Sequence, residues 1–185
     1  NTNGVGLAIG YGANTGTGAN ATGAVTIADG AVVNTPVVRL GTDAGASASG
    51  TLNIGAAAGL AAAAPGTLNA PTVVFNWLSP GNSNGSPTTG TLNFNHTSTD
   101  GSYVFAPNIG SGSGTGSATI NQLAGHTTLT GNSGGFGGTT NVTGGTLRVN
   151  GTLGNATSQV NVGNGAALGG AGTIGGNVAI GDGVL

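Results

Sequence analysis

Acid–base and ligand chemistry in this 185-residue chain can rest on very few side chains. The carboxylates are Asp29, Asp43, Asp100 and Asp182, with no Glu; the bases are His96 and His126, and the cations Arg39 and Arg148. Polysaccharide hydrolases and lyases need paired carboxylates, or a carboxylate beside a base, to move a proton and stabilise charge. Asp29, Asp43 and Asp182 instead sit in glycine-containing turns, Ala28-Asp29-Gly30, Gly41-Thr42-Asp43 and Gly181-Asp182-Gly183, where Asp caps its own backbone. A calcium ion wants six to eight oxygens, several of them from carboxylates, and so few acids cannot supply them. His96 lies near Ser98, Asp100 and Ser102, but no nucleophile elbow stands in a strand–turn–helix context. There is no Cys, which removes thiol catalysis and cysteine-bound zinc. No Gly-x-Gly-x-x-Gly opens a helix in a βαβ unit, so nucleotide binding is excluded. The sequence therefore assigns no catalytic, metal or cofactor residue, and reads both histidines as surface strand positions.

One constellation could recognise a partner. Phe75, Trp77, Phe94, Tyr103 and Phe105 fall within 31 positions of a chain that is only 4% aromatic. They either fill a locally widened core or present a patch; Phe75, Trp77 and Tyr103 are the candidate partner-binding residues. An aromatic ring beside Asn and Thr can stack on a sugar or anchor a protein contact.

The elements that must position these residues are legible from composition. Glycine is 41 of 185 residues and only 3% are charged, against roughly 7% and 25% in ordinary domains. Two cations cannot form the basic field that nucleic acid requires. No hydrophobic run is long enough to span a bilayer as a helix. With 37% hydrophobic residues and a net charge of −2, the chain also lacks the high charge of a disordered one. Large side chains are scarce, so order must come from regular backbone pairing around small residues.

An apolar–x–apolar triplet recurs: Val25-Thr26-Ile27, Val38-Arg39-Leu40, Leu52-Asn53-Ile54, Leu92-Asn93-Phe94, Leu147-Arg148-Val149, Val160-Asn161-Val162 and Val178-Ala179-Ile180. Period-two alternation means short strands with one face buried and the middle residue outward. Gly, Asn and Asp turns separate them. Short imperfect repeats of this kind build a solenoid. Coils of about 20–25 residues would give seven to nine turns and a rod of about 35–45 Å. Asn and Thr can then stack in ladders outside or at corners. Residues 56–66 read as a helical turn or loop, and residues 79–90 and 108–117 as loops.

The stretch from Thr127 to Leu185 carries a more specific pattern: Leu129-Thr130-Gly131, Phe136 before Gly137-Gly138-Thr139-Thr140, Gly144 to Gly151, Leu153-Gly154-Asn155, Val160 to Val162 and Leu168 to Gly176. It resembles the autotransporter-associated β-strand repeat of bacterial type V secreted proteins. Phe136-Gly137 departs from the Tyr-Thr common in that family. Upstream, Leu40 to Gly45 and Thr51 to Ala64 resemble passenger-domain repeats of large autotransporter adhesins. The resemblance implies a right-handed parallel β-helix at the outer surface of a Gram-negative bacterium. The chain starts at Asn1 and carries neither that family's signal peptide nor its membrane barrel, which reads as an excised part of a passenger. The expected organisation is a single segment over 1–185, with irregular coils over 1–126 and a regular repeat over 127–185.

The expected function is structural and adhesive: attachment, autoaggregation or biofilm contact through an uncharged Asn/Thr/Gly surface, not catalysis. Expected partners are other copies of the chain and a host or matrix glycan or protein; nucleic acid is not expected, nor membrane spanning. Two alternatives are a self-assembling extracellular fibre subunit and a glycan- or ice-binding solenoid. The separation of Thr15-Gly16-Thr17 from Thr97-Ser98-Thr99 does not favour ice binding, which needs Thr rows on successive coils.

Overall fold

The computed structural model describes residues 6–12, 20–42, 47–78 and 87–181. Asp43, Asp182 and Thr15-Gly16-Thr17 lie outside them. Strand β1 (Leu7–Tyr11) precedes a turn made of β2 (Ala21–Ile27), β3 (Val32–Asn34) and β4 (Val38–Thr42). The next turn is β5 (Ala48–Gly55), β6 (Thr67–Asn69) and β7 (Thr72–Trp77). It is followed by β8 (Thr88–Asn95), β9 (Tyr103–Phe105) and β10 (Asn108–Ser111), then β11 (Gly116–Ala124), β12 (His126–Leu129) and β13 (Asn132–Ser133). Two regular turns follow, β14 (Thr139–Val142), β15 (Thr146–Val149), β16 (Thr152–Leu153), then β17 (Gln159–Val162), β18 (Ala167–Gly169), β19 (Thr173–Ile174). β20 (Asn177–Ile180) begins another.

Every third strand pairs with its equivalent one turn away, and all strand pairs are parallel. The fold is a parallel β-helix. Its long sheet runs β2-β5-β8-β11-β14-β17-β20. A second face carries β3-β6 and β9-β12-β15-β18; the third carries β1-β4-β7-β10 and β13-β16-β19. Between β10 and β13 side chains replace the ladder, with Asn132 N donating to Asn108 Oδ1 and Ile109 N to Ser133 Oγ.

Turn length is uneven. Stacked equivalents on the long sheet lie 27, 40, 28, 20 and 20 residues apart. Three turns thus hold more chain than the sequence arithmetic allows for. Seven strands in the long sheet span only about 30 Å at the usual strand spacing.

The interior is a set of stacked columns. One holds Val25, Leu52, Leu92, Ile120, Thr140 and Val160 in register; its neighbour holds Ile27, Ile54, Phe94, Gln122, Val142 and Val162; Val178 and Ile180 continue these columns on β20 but are exposed. All four phenylalanines, Phe75, Phe94, Phe105 and Phe136, are fully buried. Phe94 meets Phe105 edge to face at 5.1 Å, and Phe75 meets Phe136 at 5.5 Å. Of the two readings offered for the aromatics, the widened core holds for Phe75, Phe94 and Phe105; rings supply larger apolar contact area there than small residues would.

Of the two readings for residues 56–66, helical turn or loop, the loop holds: Leu60 N closes a turn on Ala57 O, and Ala63 bridges to His96. Thr88–Gly90 of the expected 79–90 loop belong to β8, while 79–86 lie outside the described residues. Most of 108–117 is strand, leaving only 112–115 between β10 and β11. Asn53 and Asn93 point outward as expected, yet are only 3% exposed, because each amide is clasped between neighbours in a ladder.

Candidate functional site

The long sheet presents polar columns outward. Alternation along each strand puts Thr51, Thr91, Thr119 and Thr139 in register on four successive turns. Ser49, Thr89 and Ser117 form a shorter column alongside, with Ser117 Oγ donating to Thr89 Oγ1 at 3.4 Å. The third column is Thr26, Asn53, Asn93, Asn121, Asn141 and Asn161. Here each amide nitrogen donates to the preceding turn: Asn53 to Thr26 Oγ1 at 3.1 Å, Asn93 to Asn53 at 2.8 Å, Asn121 to Asn93 at 2.9 Å, Asn141 to Asn121 at 3.1 Å and Asn161 to Asn141 at 3.0 Å. At the last rung Gln159 Nε2 donates to Asn161 Oδ1, and the next position is Ala179. No Asp, Glu, Lys or Arg occurs in any strand of this sheet.

The three candidate patch residues do not converge. Phe75 is fully buried in the core. Tyr103 lies half-buried on β9, with its ring 4.6 Å from His96, and burial raises its phenol pKa well above the usual range. Trp77, on β7 of a different face, meets Arg39 instead: the guanidinium carbon is 4.4 Å from the ring centre. Sequence reasoning missed Arg39 and Tyr11 as its neighbours, since they are brought close only by stacking of separate turns.

A second polar cluster surrounds His96. His96 is fully buried, not the surface residue expected from its polar neighbours. Backbone pairing with Ala63 carries the 56–66 segment across it, with Thr97 N donating to Ala63 O. Its Nε2 lies 2.9 Å from Thr127 Oγ1, while Nδ1 has no partner. A buried lone pair costs less than a buried unmet N–H, which assigns the proton to Nε2. Burial, aided by His126, lowers the His96 pKa to about 4. His126 itself is half-buried.

Asp100 bonds to its own turn: Oδ1 accepts from Ser98 Oγ, Ser102 N and Ser102 Oγ, an arrangement that holds its pKa down to about 2. That is turn chemistry and not a Ser-His-Asp relay. Asp29 adopts a left-handed conformation, φ 52°, in its turn. Among the described residues no three of His, Cys, Asp or Glu come together, and no helix is long and apolar enough to cross a membrane. Gln122 was also missed: it occupies a core column, donating to Ala124 O and Gly125 O.

Comparison with known proteins gives one informative match. Over 92 residues, half of this chain, the sequence is 44% identical to the protein named adhesin BmaC autotransporter of Brucella suis biovar 1 (strain 1330). The aligned stretch spans 2% of that protein's length. No family model matches the chain, and no solved structure matches it.

Proposed function

We propose that this chain is part of the β-helical stalk of an autotransporter-type adhesin on the surface of a Gram-negative bacterium, and that its long sheet is the adhesive face. The observation that carries this reading is the outward surface of that sheet, in-register Thr, Ser and Asn without a charge. The similarity to an adhesin supports it. Proteins ordinarily repel like-charged copies; this face has no such repulsion, and a second copy or a matrix polymer can lie along it. Contact is then many weak hydrogen bonds and van der Waals interactions spread over the rod, a non-catalytic mechanism.

The test is aggregation of cells or beads carrying the chain. Replacing Thr51, Thr91, Thr119 and Thr139 with Lys places four positive charges in a row on the face. Aggregation should fall to background while the circular dichroism of the β-helix is kept. Unchanged aggregation by the folded variant would overturn the reading.

The same Thr column supports a second reading, the binding of a repeating lattice such as a crystalline glycan or ice, because four consecutive turns contribute. Thermal hysteresis of the purified chain distinguishes ice: none should be found if the face is adhesive only.

A further inference from the structure

We propose that Trp77, Arg39 and Tyr11 form a binding site for an acidic sugar, on the face carrying β1, β4 and β7 and separate from the uncharged sheet. Tyr11, Thr42 and Trp77 occupy one column on three successive turns. By ordinary strand spacing the two rings are about 9–10 Å apart along the rod, a separation that a short oligosaccharide bridges. Tyr11 is 53% exposed, and Thr42 between the rings is buried.

Arg39 stands beside this column and lays its guanidinium on the Trp77 ring. Among the described residues no carboxylate pairs with it. A guanidinium on an aromatic face keeps its planar fork of N–H donors directed outward along its edges. That fork matches a carboxylate in two parallel hydrogen bonds. On the following turn the neighbours of Trp77 are Gly112 and Gly114, whose amides donate to Phe75 O and Asn76 O. A Cβ on Gly112 would come within 2.7 Å of Trp77 Cα, so that position accommodates no larger residue. The lateral neighbours of Arg39 are Ala8 and Val74, with Gly110 beyond. The floor is therefore shallow and small-featured, suited to a flat ring and not to a protruding side chain.

A sugar ring presents apolar C–H faces to Trp77 and Tyr11, and its carboxylate meets Arg39. Uronic and sialic acids share this chemistry. A neutral sugar lacks the group that Arg39 would hold, and an acidic peptide lacks the flat C–H face.

Trp77 is the single tryptophan of the chain, so its fluorescence reports this site alone. Titrating the 185-residue chain with oligogalacturonate should give a saturable change in emission, weakened by added salt. Arg39→Gln should weaken binding at least ten-fold, while Arg148→Gln, an exposed arginine on another face, should leave it unchanged. Arg39→Lys, which keeps charge and loses the fork, should fall between and serves if Arg39→Gln does not fold. No emission change with the unaltered chain would overturn the proposal. Equal affinity for cello-oligosaccharide or for poly-glutamate would also overturn it, the first removing the role of Arg39 and the second that of the rings.

Discussion

The side-chain amide of Asn93 donates to Oδ1 of Asn53 on the adjacent turn of the helix at 2.8 Å, with both residues buried. This bond is the tightest rung of the ladder that starts at Thr26. Each inner Asn gives one hydrogen bond to a neighbouring turn and receives one from the other; Asn53 and Asn93 are buried, while Asn121 and Asn141 are half-buried. Hydrogen bonds in such a chain polarise one another in the same sense.

Removing an inner rung therefore leaves two orphans. Asn93→Ala strands Asn53 Oδ1 and Asn121 Nδ2, and a buried unmet polar group costs about 1–3 kcal/mol. We expect a loss of about 2–4 kcal/mol by denaturant unfolding. Asn161→Ala, at the end of the ladder and half-exposed, should cost about 1 kcal/mol. Equal losses at the two positions would show that the ladder does not act as a buried chain.

A second prediction concerns the next-to-last residues of the third-face strands β1, β4 and β7. Gly10, Gly41 and Asn76 hold φ of 68°, 63° and 53° at equivalent positions on three turns. Asparagine tolerates this region better than other side-chain-bearing residues. A Cβ on Gly41 would lie 2.5 Å from the Thr89 carbonyl oxygen, and backbone cannot step aside cheaply. Gly41→Ala should cost more than about 2 kcal/mol. Asn76→Gly removes both the strained φ and a buried Oδ1 that has no partner, and should change stability by less than about 1 kcal/mol in either direction. Thermal melting of the two variants ranks them directly.

A third follows from His96. Its folded pKa of about 4 lies below the ordinary 6.5, so between these values the unfolded chain binds more protons than the folded one. Stability then rises with pH. The contribution is complete above pH 6.5, falls as pH drops toward 4 and is lost below that, a total of about 3 kcal/mol. Unfolding free energy measured from pH 7 to pH 4 should show this slope, and His96→Gln should flatten it. A slope that survives His96→Gln would locate the pH sensitivity elsewhere. Asp100, whose carboxyl is held down by Ser102 and Ser98, acts at lower pH, below its ordinary 3.8.

Much of the fold was legible because its signal is local. All seven apolar–x–apolar triplets lie in strands, and Leu7-Ala8-Ile9 does too. Which face each triplet occupies was not legible, since Val38-Arg39-Leu40, Leu52-Asn53-Ile54 and Leu147-Arg148-Val149 read alike and lie on three different sheets. Alternation reports one side of a strand against the other and says nothing of where the chain turns a corner. The coil of 40 residues hid for the same reason.

The interaction surface was less legible. Trp77 stood out as the lone indole, yet its partners come from two other turns, and no spacing rule links Tyr11, Arg39 and Trp77 when the intervening loops vary. His96 illustrates the opposite error. Its flanking residues Asn95 and Thr97 suggest a solvated strand; the 56–66 segment, distant in sequence, buries it.

The uneven turns bear on how the molecule would respond to being pulled by its two ends. Tension along the axis opens one inter-turn seam at a time, because the backbone bonds between turns lie parallel to the load. A 20-residue turn would pay out about 70 Å of slack when it peels away, and the 40-residue turn about 140 Å. The wide turn is thus a built-in reserve of length, held in place by the same amides that keep the strands in step.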